Sequence, residues 1–298
     1  MGVPGYSDTN DYNYVALSFW LVSGPADVAL VWSNPSRFMG DAFGTTDKAI
    51  QTFLKKKFTD AGVKLLVSAF GATNFPTSEG ADPTQTAVDL AKFVKDNLFD
   101  GVDIDYEDNA AMNAGTGVPW LITFQRKLAE LLPGYIITHA PQGPYFKGSH
   151  YQHKGYVGVD QQVGNTIDFY TVQFYNQGDT KYDSYTELFT RATGYFSGTS
   201  VKEIIAQGVP SEKIVVGKAA AAQDIMNTGL VSITELGKWG AQAYREFGWS
   251  AGYMFWQFRS DLKGDKIRAA MNPLVEAMGN SPSPSPSPSP SPQPEPEP

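Results

Sequence analysis

The sequence contains no cysteine among its 298 residues, which excludes disulfide bonds, iron–sulfur clusters, thiolate zinc sites and a cysteine nucleophile. Histidine occurs only three times, so few imidazole ligands are available for a zinc centre. Basic residues number 23 against 31 acidic ones, and the net charge of −8 argues against binding to nucleic-acid phosphates. Because no apolar stretch reaches the roughly 18 residues of a membrane span, we expect neither nucleic acid nor membrane as a partner.

The apolar content is high enough for a large buried core. Hydrophobic residues make up 42% of the chain and aromatic residues 13%, which excludes a mostly disordered protein. The composition changes near residue 280, because 281–298 alternates proline with serine, glutamine or glutamate and favours an extended, water-exposed chain. We therefore predict one domain over 1–280 and a disordered tail over 281–298. This tail is either a passive linker or a spacer to a second module.

Short apolar runs rich in Val, Ile, Tyr and Phe alternate with segments of helical spacing. The runs typical of strands cover 14–20, 27–32, 63–70, 99–105, 134–140, 168–175, 212–219 and 251–258. The segments typical of helices cover 46–62, 82–99, 118–132, 184–193, 233–248 and 265–279. This alternation predicts an α/β fold, a single (β/α)8 TIM barrel. Since active sites of that fold lie at the carboxyl ends of the strands, polar residues there are the candidates.

The predicted strand at 99–105 carries an unusual series of acids. Asp103, Asp105 and Glu107 stand at alternate positions, with apolar residues between them. Side chains alternate faces along a strand, so the three carboxyl groups share one face, and the apolar face suits the surrounding helices. Like charges buried together inside a barrel cannot all stay ionised, so one carboxyl group holds a proton near neutral pH. Glu107, at the outer end, is then a candidate general acid, with Asp103 and Asp105 behind it.

This acidic segment is compared with three other kinds of acidic site. A calcium loop requires glycine after its third acidic position, where this chain has Asp108. A solvated acidic edge would not alternate so regularly with Val, Ile and Tyr. A magnesium or manganese site stays open, because carboxylates alone can hold such ions. We favour acid chemistry without a metal or cofactor.

The same segment resembles a known family signature. The string DGVDIDYE is similar to the D-x-x-D-x-D-x-E motif of glycoside hydrolase family 18, whose acidic positions fall on Asp100, Asp103, Asp105 and Glu107. Further stretches resemble the family in the same order, and those most like the plant class III (hevamine-like) chitinases are APQGPYF (140–146), VQFYN (172–176) and GYMFWQF (252–258). Relatives of that type usually carry disulfides, which this chain cannot form.

A further stretch, LLVSAFG (65–71), resembles the S-x-G-G strand of the family. Ser68 matches its serine, and Phe70 replaces a glycine.

The resemblance implies a retaining hydrolysis in which the 2-acetamido group of the sugar acts as the nucleophile and forms an oxazolinium ion. By analogy, Glu107 protonates the glycosidic oxygen and later activates water. Asp105 orients the acetamido nitrogen, Asp103 holds Asp105, and Tyr175 donates a hydrogen bond to the acetamido oxygen. These are the expected catalytic residues.

The expected substrate-binding residues come from the remaining motifs. Gln173 and Asn176 would help to position the sugar, and Trp256 would form the floor of the subsite. Ser68 and Tyr145 complete the set, although Tyr145 is equally compatible with a packing role.

The expected activity is hydrolysis of β-1,4 bonds after N-acetylglucosamine in chitin or chito-oligosaccharides. An endo-β-N-acetylglucosaminidase that cleaves the chitobiose core of N-glycans uses the same acetamido chemistry and is the alternative. A non-catalytic sugar-binding barrel is a third hypothesis, disfavoured because Glu107 is present. We expect a monomer, and secretion is expected from the substrate and the tail, although 1–10 shows no signal-peptide pattern.

Overall fold

A computed structural model describes residues 11–39 and 46–279 of the chain. The predicted tail at 281–298 and the first ten residues lie outside these ranges. The strands are β1 (Tyr14–Leu21), β2 (Gly24–Pro25), β3 (Lys64–Phe70), β4 (Gly101–Asp105), β5 (Ile136–His139), β6 (Phe169–Gln173), β7 (Ile214–Ala219) and β8 (Tyr253–Trp256). They form one sheet in the order β2-β1-β3-β4-β5-β6-β7-β8, in which β2 pairs antiparallel with β1 and all other pairs are parallel.

Helices follow the strands along the chain. They are α1 (Asp27–Ser33), α2 (Pro35–Met39), α3 (Asp47–Asp60), α4 (Pro83–Asp96), α5 (Asn109–Ala114), α6 (Gly117–Leu131), α7 (Gly155–Val163), α8 (Val201–Ala206), α9 (Ile233–Phe247) and α10 (Asp265–Gly279). The predicted TIM barrel is therefore confirmed. Across the part of the chain that the structure describes, every helix is too short or too polar to cross a membrane.

Local sequence signals explain where the longer helices begin and end. The Thr46 side chain caps α3 by accepting a hydrogen bond from the backbone of Ala49. The Asp82 side chain caps α4 in the same way, directly before Pro83 at the first helical position. Gly248 ends α9 in the left-handed conformation, with φ of 78°. These signals made α3, α4 and α9 predictable.

Two predicted elements differ in the structure. The strand expected at 27–32 is wrong, because these residues form α1, which buries Ala29, Val31 and Trp32. A six-residue apolar run has the length of a strand, and periodicity alone cannot separate it from a short buried helix. The helix expected at 184–193 shrinks to one π-helical turn, Thr186–Thr190. The eighth strand of the sheet is instead the two-residue β2.

Phe70 ends β3 in the left-handed region, with φ of 80°. That conformation costs a residue with a side chain about 1–2 kcal/mol. The ring is fully buried, and its centroid lies 6.1, 6.0 and 5.8 Å from those of Trp20, Trp120 and Phe124. Burial of a ring of this size stabilises the fold by about 1.5–3 kcal/mol, which offsets the backbone strain. The phenylalanine at a glycine position of the motif therefore packs between β3 and α6.

Candidate active site

The acids of β4 point into the barrel. Asp103 pairs in register with Ser68 of β3 and Thr138 of β5, so the three side chains share one interior layer. The Ser68 hydroxyl donates to Oδ2 of Asp103 at 3.0 Å, and the Thr138 hydroxyl donates to Oδ1 at 2.6 Å. Asp103 is thereby held from both sides at the bottom of the site.

The next two acids, Asp105 and Glu107, contact Gln173 at the end of β6. The Gln173 amide nitrogen donates to Oδ1 of Asp105 at 2.8 Å and to the carbonyl of Ala140 at 3.0 Å. It also reaches Oε1 of Glu107 at 3.4 Å. Because Gln173 ends β6, these contacts place the carboxyl groups of Asp105 and Glu107 inside the mouth of the barrel, where the sequence pattern predicted them.

Burial raises the pKa of all three acids. The pKa of Asp103 rises to about 6 through burial, against the hydrogen bonds from Thr138 and Ser68. The pKa of Asp105 rises well above its usual range through burial and through the neighbouring charges of Glu107 and Asp103. The pKa of Glu107 rises because the side chain is buried, while its hydrogen bonds partly offset the effect. A proton is therefore retained in this cluster near neutral pH, as acid catalysis requires.

Tyr175 and Trp256 lie at the same mouth. Tyr175 follows β6 and is buried, and burial together with the charges of Asp105 and Glu107 raises the pKa of its phenol well above the usual range. It is thus a neutral hydrogen-bond donor at working pH. Trp256 ends β8, and its ring lies 6.1 Å from the ring of Phe19 at an interplanar angle of 27°. The phenol of Tyr175 therefore lies beside the acids, and the indole of Trp256 lies at the carboxyl end of the last strand.

The side-chain oxygen of Asn176 accepts hydrogen bonds from the protein backbone. Asn176 follows Tyr175 with φ of 60°, and its Oδ1 accepts hydrogen bonds from the backbone of Met226 at 2.8 Å and Asn227 at 3.2 Å. These bonds join the loops that follow β6 and β7. Ser68 is likewise committed to Asp103, so substrate contact by Ser68 or Asn176 stays a prediction.

Tyr145 lies in the helical turn Gly143–Phe146 that follows β5, and its side chain is fully buried. Its ring stacks on Tyr156 at 6.1 Å and 8° and meets Tyr151 edge-on at 5.7 Å. Its hydroxyl donates to Oδ1 of Asn109 at 3.0 Å, two residues beyond Glu107. This is the packing role that the sequence left open, and substrate contact by Tyr145 stays a prediction.

Asp108 supports the site in a way that its sequence position did not reveal. Its carboxyl group accepts from the backbone and the hydroxyl of Ser78, at 2.7 and 2.5 Å. It also caps α5 by accepting from Ala111 at 3.1 Å. Asp108 therefore ties the loop after β3 to the end of the acidic strand.

Lys218 of β7 is a second supporting residue without a sequence signal. Its ammonium group is fully buried and donates to the carbonyls of Phe174 at 2.6 Å and Tyr182 at 2.9 Å. Burial lowers the pKa of Lys218 to about 7. These bonds fix both ends of the segment that begins with Phe174 and Tyr175.

Gln142 is the third residue that the sequence analysis missed. It lies three residues beyond β5, in the motif-like string 140–146, and its amide nitrogen donates to Oε2 of Glu107 at 3.4 Å. Within 11–39 and 46–279, no group of three or more His, Cys, Asp or Glu side chains is arranged to hold a metal ion.

The fold and the site together define a TIM barrel with a stack of acidic side chains at the mouth that the C-terminal ends of the strands form. The family model of "Glycosyl hydrolases family 18" matches residues 3–273, and the chain belongs to this family. The family resemblance inferred from the acidic motif is therefore confirmed.

Individual relatives agree with this classification. A crystal structure of a GH18 chitinase from Pseudoalteromonas aurantia superposes with a TM-score of 0.71 at 26% identity, covering 92% of this chain and 98% of that one. Chitinase ChiA of Flavobacterium johnsoniae is 26% identical over 188 residues, 56% of this chain and 12% of that protein. Chitinase 1 of Aphanocladium album is 27% identical over 200 residues, 60% of this chain and 45% of that protein. The matched regions span less than half of both curated relatives.

The raised pKa of Asp103 predicts a pH-dependent gain in stability on its replacement by asparagine. Between its ordinary pKa of 3.8 and about 6, the folded protein retains a proton that the unfolded chain has released. The contribution of Asp103 to folding stability therefore falls as pH rises through this window. We expect Asp103→Asn to raise the free energy of unfolding at pH 7 by about 1–3 kcal/mol.

Urea unfolding of both proteins from pH 4 to pH 7 measures this effect. The wild type should lose stability relative to Asp103→Asn as pH rises, and the difference should level off above the pKa of Asp103. A stability difference that does not change with pH would contradict the assignment of a buried, titrating carboxyl group to Asp103.

Proposed function

We propose that this protein hydrolyses β-1,4-glycosidic bonds after N-acetylglucosamine in chitin or chito-oligosaccharides, with retention and with the substrate's acetamido group as nucleophile. The observation that carries the proposal is the inward stack of Asp103, Asp105 and Glu107, with raised pKa values, beside the phenol of Tyr175. The family membership supports glycosidase chemistry, and the names of the matched relatives support chitin as the substrate.

The proposed reaction starts with Glu107, which gives its proton to the glycosidic oxygen as the bond to the anomeric carbon breaks. The acetamido oxygen forms a bond to that carbon and closes the oxazolinium ring. An intramolecular nucleophile has a high effective concentration, so no enzyme nucleophile is needed. Glu107, now ionised, takes a proton from the water that opens the ring.

Asp105 and Tyr175 stabilise this intermediate in the proposal. Asp105 faces the acetamido nitrogen, and the positive charge that develops there favours the ionised form of this buried acid. Its carboxylate then stabilises that charge. The phenol of Tyr175 donates to the acetamido oxygen. Trp256 offers an aromatic face for the apolar face of the sugar ring.

We further propose that 1–280 is the catalytic domain and that 281–298 is a linker. The protein works as a monomer and without a cofactor. Secretion follows from the substrate, because a chitin polymer is too large to enter a cell.

Parallel assays test the substrate assignment. We expect soluble oligosaccharides from colloidal chitin and no glycan release from a high-mannose glycoprotein, with the first-formed product in the β-anomeric form by NMR. EDTA should leave the rate unchanged, because protons alone carry the chemistry. Activity only on the glycoprotein would assign the alternative endo-β-N-acetylglucosaminidase, and α-anomeric first product would refute the retaining mechanism.

A further inference from the structure

Gln142 contacts the candidate acid directly. Its amide nitrogen lies 3.4 Å from Oε2 of Glu107, and the Gln173 amide nitrogen lies 3.4 Å from Oε1. The two oxygens of the Glu107 carboxyl group therefore each face one amide donor. Both contacts are long, as catalytic hydrogen bonds often are before the substrate is bound.

The two amide groups differ in their other hydrogen bonds. Gln173 donates at shorter distance to Asp105 and to the carbonyl of Ala140, at 2.8 and 3.0 Å. The Gln142 amide nitrogen donates to Oε2 of Glu107. Gln142 is thus the donor directed at the acid, and Gln173 mainly serves Asp105.

The backbone fixes Gln142 at this position. It forms a parallel bridge with Gln173, and the backbone of Gln173 donates to the carbonyl of the preceding Pro141 at 2.9 Å. The carbonyl of Gln142 accepts from the backbone of Tyr145 at 3.0 Å. The side chain is partly exposed at the mouth, so it can adjust as a substrate enters while its backbone stays fixed.

We propose that Gln142 is a positioning residue for the acid step, whose amide holds Oε2 of Glu107 and stabilises the carboxylate that forms when the proton passes to the leaving sugar. This inference rests on the proposed function and deepens it. An N–H donor favours the ionised over the protonated form of a carboxyl group, so Gln142 lowers the pKa of Glu107 against the effect of burial. It thereby keeps Glu107 acidic enough to give up its proton.

The test replaces Gln142 by methionine, which keeps the length of the side chain and removes the donor. On a chito-oligosaccharide we expect kcat to fall roughly tenfold, with KM changed less than about twofold. The basic limb of the kcat/KM profile, set by Glu107, should move to higher pH. First-turnover release of nitrophenol from a nitrophenyl chito-oligosaccharide should be nearly unchanged, because that leaving group needs little protonation.

Gln161→Met is the matched control, since Gln161 is exposed on α7 and its side chain faces Lys154. It should behave as wild type in every assay. If Gln142→Met fails to fold, Gln142→Asn keeps an amide but shortens its reach and should show the same pattern more weakly.

Equal losses on both substrates, an effect in KM alone, or an unmoved basic limb would overturn the positioning role. Those results differ from failure of the proposed function, in which wild-type protein itself would hydrolyse no N-acetylglucosaminide.

Discussion

Replacement of Glu107 by glutamine is expected to lower hydrolysis of chito-oligosaccharides by a factor on the order of 10³ or more. Glutamine keeps the size and polarity of the side chain. Its carbonyl oxygen can accept one of the two amide contacts. The partly exposed Gln142 can turn its own carbonyl oxygen toward the new NH2 group. It has no proton of suitable acidity to give to the glycosidic oxygen and cannot later remove one from water. Both chemical steps lose their proton carrier while the sugar-binding surface stays intact.

This variant should therefore still bind the sugar while losing turnover. We expect Glu107→Gln to unfold at the same temperature as wild type or higher, because a buried ionisable group is removed. Calorimetry should show wild-type affinity for chito-oligosaccharide. Glu276→Gln on the exposed face of α10 is the matched control and should keep full activity. Wild-type turnover by Glu107→Gln would refute the acid role, whereas sugar binding without hydrolysis by the wild-type protein would revive the non-catalytic sugar-binding barrel.

The inward orientation of the acids was predictable because it depends on local geometry. Side chains on a strand alternate with period two, and the burial of Val102, Ile104 and Tyr106 requires the acids on the opposite face. The same reasoning fails at 27–32, because a short apolar run satisfies a buried helix equally well. For a long segment, the hydrophobic period and the length show whether it is a helix or a strand. For a short apolar segment, tertiary packing determines which of the two forms.

The supporting residues of the site depend on contacts between distant parts of the chain. Ser68 and Thr138 each lie 35 residues from Asp103, and their role follows from strand register, which the sequence does not specify. Lys218 gave no signal because a lysine in a strand usually faces solvent. Gln142 lay within a motif-like string, but its direction toward Glu107 depends on the bridge to β6. Motifs thus predicted which strands form the site, and the pairing of the strands determines which side chains meet.

Replacement of Asp105 by asparagine should lower kcat on chito-oligosaccharides by about 10² to 10³. A carboxylate about 4 Å from a developing positive charge contributes roughly 4 kcal/mol at an effective dielectric constant of 20, which corresponds to about three powers of ten in rate. Asparagine keeps the hydrogen bond from Gln173 through its carbonyl oxygen, so part of the orienting role survives. The loss should therefore stay below that of Glu107→Gln.

The leaving group distinguishes the two acids. Glu107 acts on the departing oxygen, so a nitrophenyl leaving group should restore much of the first-turnover rate in Glu107→Gln. Asp105 acts on the acetamido nitrogen, whose positive charge develops whatever the leaving group is, so Asp105→Asn should not be restored. Asp89→Asn, on the exposed side of α4, is the matched control and should match wild type. Equal restoration of both variants would mean that Asp105 only tunes Glu107, and the acetamido group would no longer be supported as the nucleophile.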